Sequence, residues 1–481
     1  MKFSNPDFAK QELTFNDVFI FQNYFDWKSR LYDTDIKPNS PLWTTIPIIS
    51  ANMNQVTWKR MCETLARYWW LWVLPQDMNL EKMLEIVKFV KNAHIVYDTP
   101  LTLTKKNNIR DALWIINKRA HNSVILVDEN FKAISIFTAK DLEKYEQYEL
   151  LWNIKKNKLI VWEEWISNEE AYNKMKKNNI SSLPIINKSW KLIWILTKNN
   201  TIRNSIYKPN LDKNWKLNLA VALWINNFLD KSKKLIKAWI NIFILDTAHG
   251  YQKTMIESIK KFRKNFWNDI ILIAWNVMTS NWTEALLNAW ANWVKVGIWP
   301  WAMCTTRIMT WVGRPQFSAI LDCSKKAREL WWFVIADWWI REARDFALSM
   351  VAWATNVMMW TILAWTFEST WDIFYDNNWK MYKKNYWMAS LKAVNLRNSW
   401  KSDFEIAKKE FFVEGISDSK IFLREWYESV WKIVDKFCSW LKSSMTYVWA
   451  KNLEEFYQKA IVWVQSSAGY FEGTPHGKIV N

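Results

Sequence analysis

From about residue 40 the chain alternates short apolar runs, many of them β-branched, with stretches whose apolar positions recur at helical spacing. Residues 44–50 (TTIPIIS) read as a strand and 57–68 as the helix after it. Later strand candidates are 242–245 (IFIL), 270–274 (IILIA), 294–296, 333–336 (FVIA) and 356–359 (NVMM), separated by helical patterns such as 233–238, 252–262 and 341–350. Strand–helix alternation over this length predicts a parallel sheet, open or closed. His249, Asn276, Cys304, Asp337 and Thr361 all fall just after predicted strands. A (β/α)8 barrel collects functional residues at the C-terminal ends of its strands, so this placement favours the barrel.

Residues 97–204 break the rhythm and hold an internal repeat, with copies at 111–142 and 169–200. Each copy reads as a helix, a strand ending in a polar turn, a second strand, and a threonine opening a charged helix. The pair resembles a tandem CBS module (about 97–150 and 155–204), a class that binds adenine or guanine nucleotides. The second copy carries the likeness better, through Ser182-Leu183-Pro184-Ile185-Ile186 and Leu196-Thr197-Lys198. An insert that binds nothing is the alternative. The expected fold is therefore α/β: a (β/α)8 TIM barrel built from 1–96 and 205–481, with the tandem CBS module inserted.

Composition changes this picture in three ways. No run approaches the ~20 apolar residues of a membrane span, and the start has no secretory h-region. Cys62, Cys304, Cys323 and Cys438 form no C-x-x-C pattern. These features point to a cytoplasmic protein without a membrane partner, a zinc site or a disulfide framework. The formal charge of +18 comes from scattered lysine with no basic tail, so it reads as compositional bias and disfavours nucleic acid. Thirty-nine Trp against seven Gly inverts ordinary usage, in which glycine is about 7% of residues. The tryptophans stand in turn-like contexts such as 187–191 and 376–380, and as the adjacent pair Trp338-Trp339. The reading is that UGA codons meaning glycine are written here as tryptophan; a chain truly rich in Trp is the alternative.

The segment from Val294 to Arg307 (VKVGIWPWAMCTTR) reads as a strand, a loop and a cysteine. With glycine at 299 and 301 the loop would bring backbone groups close to a ligand or cation, which bare indoles would block. Cys304 in that setting is a candidate nucleophile. The residues alone fit a buried structural cysteine equally well.

This segment resembles the active-site loop of the IMP dehydrogenase/GMP reductase family, and the likeness runs over nearly the whole chain. Asn52-Met53, Asp246-Thr247-Ala248-His249-Gly250, Ala274-Trp275-Asn276-Val277, Ala336-Asp337-Trp338-Trp339-Ile340-Arg341 and Met359-Trp360-Thr361 match family motifs in order, with Trp where the family has glycine. The resemblance implies chemistry in which a Cys304 thiolate adds to C2 of a purine nucleotide and hydride moves between C2 and a nicotinamide. It implies nucleotide contacts from Met53, Asp337, Trp338, Trp339, Trp360, Thr361, Tyr386, Trp387, Met388 and Ala389. It places the dinucleotide against Asp246, Thr247, Ala248, His249 and Asn276, and a monovalent cation, K+, at the carbonyls of Trp299, Trp301 and Cys304. An ionised Asp337 accepts hydrogen bonds only, which suits a vicinal diol. His94 and His121 are read as structural.

The direction of hydride transfer is read from the segments beyond the last barrel strand. No Arg-Tyr pair of the dehydrogenase flap comes after Tyr386-Trp387-Met388-Ala389-Ser390, and Ser444-Met445-Thr446-Tyr447-Val448-Trp449-Ala450 resembles the reductase pattern. The CBS-containing GMP reductases are the nearest subgroup. The resemblance thus implies NADPH-dependent conversion of GMP to IMP and ammonia, with Cys304 as nucleophile, Thr306 as proton relay and Glu414 orienting that relay. It also implies a homotetramer or homo-octamer. An IMP dehydrogenase using NAD, and an idle nucleotide sensor, are the competing readings.

Overall fold

The computed structural model describes the chain except residues 25, 27–29, 31, 68–70, 120, 156–158, 248, 267–268, 299–303, 371, 388, 399–401, 412, 414, 424–428 and 475–481. Eight parallel strands succeed one another around a barrel: Ile48–Ser50, Val73–Leu74, Ala220–Trp224, Ile242–Asp246, Ile271–Val277, Trp293–Val296, Phe333–Asp337 and Asn356–Met359. The ring closes where Ile49 bridges Leu71 in parallel and the Ser50 N–H donates to the Leu71 carbonyl at 3.1 Å. Strands such as Ile242–Asp246 are buried throughout, as expected of parallel strands covered by side chains inside and helices outside. The expected barrel is therefore present.

Its strands differ in detail from the sequence expectations. Residues 44–47 precede the first strand rather than belonging to it, since Pro47 has no N–H to give to a ladder. Asn276 and Asp337 lie within the last residues of their strands, not beyond them. Two strands were not anticipated, Val73–Leu74 and Ala220–Trp224.

The insert forms two similar units with separate apolar cores, one around Ile109, Val124, Leu126 and Phe137, the other around Ala171, Met175, Leu183 and Ile185. In each, a strand hairpin (Ser123–Val127 with Ala133–Thr138; Ser182–Ile186 with Leu192–Thr197) accepts a short parallel strand at its edge. Ile125, Val127, Leu192 and Ile195 pack between the two units. Beyond the last barrel strand, Phe374–Tyr375, Met381–Asn385 and Ser419–Phe422 form a small antiparallel sheet.

The backbone carries the composition anomaly into three dimensions. Of the seventeen non-glycine residues described at positive φ, thirteen are tryptophan. Five of them occupy one motif. Trp239, Trp290, Trp331, Trp353 and Trp449 each stand two residues past a helix, with φ between 60° and 77°. In each, the Trp N–H and the next N–H turn back to the helix's last free carbonyls, as Trp331 does to Arg328 at 3.1 Å and Trp332 to Ala327 at 2.8 Å. This is the left-handed helix stop that glycine normally supplies. Trp190, Trp215 and Trp379 share a second motif: each donates to the carbonyl of an Asn or Asp three residues earlier, whose side chain accepts from N–H groups two and four residues on. A Cβ at positive φ meets the following carbonyl and costs ~1 kcal/mol or more. Trp72 and Trp293 have ordinary φ, but each buries an indole N–H with no partner among the described residues, which carries its own desolvation cost.

Candidate active site

The strand ends surround a cavity of about 610 Å³. Of the residues singled out from the sequence, Met53, Asp246, Thr247, His249, Asn276, Cys304, Thr306, Asp337, Trp338, Trp339, Trp360, Thr361, Trp387 and Ala389 line it. Tyr386 is not among the lining residues; its carbonyl accepts from the buried Gln55 amide. Ala248, Trp299, Trp301, Met388 and Glu414 lie outside the described residues.

Cys304 and Thr306 sit at the start of the short helix Thr306–Thr310, and the thiol donates to the Thr306 hydroxyl across 3.2 Å. Next to them the Thr305 hydroxyl accepts from the Gly415 N–H at 2.9 Å. The neighbour of Glu414 is thereby pinned to the cysteine loop, although 110 residues separate it from Thr305. Trp387 donates through its backbone to Ile416 at 2.8 Å, so the segment after Met381–Asn385 and the segment before Ser419–Phe422 reach the same mouth.

On the strand next to the one that leads into the cysteine loop, Asp337 is the last residue and its Oδ2 lies 3.1 Å from the Lys295 ammonium. The Asn52 amide donates to Asp246 Oδ2 at 2.5 Å and to Gln76 Oε1 at 2.9 Å, while its Oδ1 accepts from Lys295 at 3.2 Å. Burial raises the Asp246 and Asp337 carboxyls above the ordinary range and lowers the Lys295 ammonium; the attraction of Lys295 for both carboxylates opposes those shifts. Gln316 staples the floor, its amide donating to the carbonyls of Val296 (3.1 Å) and Asp337 (2.7 Å). At Gly297, φ is +139° and an added Cβ would stand 2.2 Å from the Asp337 carbonyl, so only glycine fits there.

Asn276 donates to the Gly297 carbonyl at 2.5 Å and keeps a buried Oδ1 without a partner among the described residues. An acceptor left open beside Asp246 suits a ligand that brings hydroxyl or amide donors. Burial lowers the basicity of His249, so the ring is neutral near pH 7. His94 and His121 are far from this wall in role: His94 Nδ1 accepts two backbone N–H groups at 3.0 Å, and His121 pairs with Ser123.

Sequence reading passed over Lys295, Gln76 and Gln316. Lys295 left a usable signal, a lysine inside an apolar strand, because a buried ammonium requires a carboxylate across from it.

Comparison with known proteins identifies the family. Residues 12–476 match the IMP dehydrogenase / GMP reductase domain. A GMP reductase of Mycobacterium tuberculosis is 36% identical over 476 residues, 99% of each chain. An inosine-5'-monophosphate dehydrogenase of Aquifex aeolicus is 32% identical over 479 residues, 97% of this chain and 96% of that one. Among solved structures, a cysteine-to-alanine variant of GMP reductase from Trypanosoma brucei in complex with guanosine 5'-monophosphate superposes with a TM-score of 0.67 at 24% identity, covering 98% of both chains, which shows the shared fold. On the match across nearly its full length, the chain belongs to the IMP dehydrogenase/GMP reductase family of oxidoreductases.

Proposed function

We propose that the protein is a GMP reductase that converts GMP to IMP and ammonia at the expense of NADPH. The observation that supports this reading is the 3.2 Å contact of the Cys304 thiol with Thr306, beside the hydrogen bond from Gly415 to Thr305. Deprotonated Cys304 attacks C2 of the purine, the exocyclic amine takes a proton and leaves as ammonia, and the carbon–sulfur bond breaks once C2 is reduced. Thr306 passes protons at the amine, and Glu414 orients or ionises Thr306. Asp337 accepts from the sugar hydroxyls. The main chain at 338–339, 360–361 and 387–389 receives the phosphate; that role requires glycine at 338, 339, 360 and 387, where the written indoles occupy the cavity.

Asp246, Thr247, His249 and Asn276 would hold the nicotinamide cofactor, which when bound supplies hydride to C2. A K+ ion at the carbonyls of 299, 301 and 304 belongs to the same reading. The 97–204 insert is a tandem CBS pair that takes adenine or guanine nucleotides, and the protein is a homotetramer or homo-octamer. The natural chain carries glycine at the left-handed tryptophan positions.

Nicotinamide absorbance tests this on protein made with glycine at those positions and at 299, 301, 360 and 387. NADPH oxidation with GMP, accompanied by ammonia, is the expected result. Reduction of NAD+ with IMP, and no reaction with GMP, would make the protein a dehydrogenase. Glu414→Gln is expected to keep nucleotide binding and lose most turnover; full activity in that variant would remove the assigned relay.

A further inference from the structure

Lys295 is the one charged residue of its strand, WVKV, and its side chain is fully buried. Its neighbours Val294 and Val296 belong to the barrel core. An apolar side chain of similar length would fill the same space at lower desolvation cost, so barrel stability alone does not account for an ion pair here. The pair is also placed unusually. Its carboxylate, Asp337, lines the cavity, as does Lys295 itself, whereas the pairs at the helix surfaces do not. Lys295 is bound on its other side to Asn52, which hands its own amide to Asp246 and Gln76. One continuous polar chain, Asp337–Lys295–Asn52–Asp246, therefore crosses the cavity wall from the nucleotide half to the cofactor half.

We propose that Lys295 is a positioning residue for nucleotide recognition: it holds Asp337 ionised and fixed in orientation as acceptor for the sugar hydroxyls, and Asn52 extends the same restraint to Asp246. This role rests on the proposed function, in which Asp337 receives the ribose. In this role Lys295 acts on the carboxylate rather than on the nucleotide, so its loss is to be felt through the hydroxyl bonds. Without the ammonium, a carboxyl buried this deeply takes up a proton or turns away. It then ceases to be a pure acceptor.

The test compares GMP with 2′-deoxy-GMP, which lacks one of the hydroxyls, by calorimetric titration of the full-length chain with glycine at the left-handed positions and at 299, 301, 360 and 387. The parent is expected to prefer GMP by about tenfold, the usual scale for one hydrogen bond to a charged group. Lys295→Met is expected to lose that preference, weakening GMP about tenfold and 2′-deoxy-GMP by less than about threefold. Lys295→Arg, which keeps the charge, is expected to retain most of the preference. If Lys295→Met fails to fold, Lys295→Gln replaces it with the same expectation. Equal weakening of both ligands, or an unchanged preference, in a folded charge-free variant overturns the role. A parent that binds neither GMP nor IMP overturns the functional reading, and the role of Lys295 with it.

Discussion

Thr306 accepts a hydrogen bond from the Cys304 thiol, and its neighbour Thr305 binds Gly415, next to the proposed relay residue Glu414. At 3.2 Å the Thr306 oxygen is within reach of the proton on the Cys304 thiol. Thr306→Val keeps the volume and removes the hydroxyl, so kcat is expected to fall by about 10²-fold or more while GMP affinity stays within about threefold. Steady-state kinetics set beside calorimetry separate the two, and an unchanged kcat would relieve Thr306 of the relay. The same scale settles which tryptophans oppose their own backbone. Trp331 stands at φ 63° with its indole 89% exposed, so the side chain gains little from packing while its Cβ strains the turn. Trp331→Gly is expected to stabilise the fold by about 1 kcal/mol in urea titration. Trp114 lies inside the Ile109–Ile116 helix with the opposite sign of φ, and Trp114→Gly is expected to cost about 0.5 kcal/mol. Equal signs for the two substitutions would mean that left-handed strain is not what distinguishes them.

Between elements, the barrel helix Lys59–Arg67 meets the insert through a buried ionic knot. Glu63 pairs with Arg67 and, at 2.7 Å, with Arg119 of the first inserted unit; Arg67 reaches Asp98 at 2.5 Å, and Asp98 accepts from Asn200 of the second unit at 2.7 Å. Glu63→Gln leaves two buried guanidiniums short of a charge and is expected to destabilise by about 3 kcal/mol, read as earlier melting of the insert. Two groups in the knot make it acid-sensitive. Arg119 and Arg67 outweigh burial to hold the Glu63 carboxyl near 2, and burial, aided by Arg119, lowers His121 to about 3. Both folded values lie below the unfolded ones, so the unfolded chain binds more protons and stability is lost as pH falls. For His121 the loss begins below its unfolded value of about 6.5 and runs toward 3. His121→Asn is expected to reduce the slope of melting temperature against pH between about 6.5 and 4.5, before Glu63 titrates, leaving the part due to neighbouring His94, which burial and Arg67 lower to about 4. An unaltered slope would place the acid sensitivity elsewhere.

None of this knot was legible in the chain, because Glu63, Asp98, Arg119 and Asn200 obey no local period and only the fold brings them together. The barrel was more open to reading. Strands such as IFILD and NVMM announce themselves as buried apolar runs, whereas Val73–Leu74 is too short to show any period. The AVALW run at Ala220–Trp224 has no alternation to tell a strand from a buried helix. The wall bearing Asp246, Asn276, Cys304 and Asp337 was found from strand ends and motif order. Lys295 was missed, since its meaning lies in partners on other strands.

For the whole molecule, the written tryptophans are a question of stability as well as of chemistry. Among the described residues thirteen of them occupy positive φ, and at ~1 kcal/mol each the strain is on the order of 13 kcal/mol. A native domain is stable by only about 5–15 kcal/mol in total, so a chain carrying every indole would have little stability left. The surface adds to this, for Trp165, Trp311, Trp331 and Trp379 are each more than 80% exposed and present bare aromatic area to neighbouring copies. Glycine at the same positions removes the strain and caps five helices in the ordinary way, and with glycine at 360 and 387 as well it clears the cavity for a nucleotide phosphate. Two genes differing only in those codons are therefore expected to behave differently. The glycine version should be soluble, melt cooperatively and bind GMP, while the tryptophan version should aggregate or melt at least about 10 °C lower, a shift on the scale of several kcal/mol. Peptides from the natural host should show glycine at 239, 290, 331, 353 and 449. If those peptides carry tryptophan and the two versions melt together, the left-handed positions must be held by packing strong enough to offset the strain, and the phosphate would need another route into the barrel.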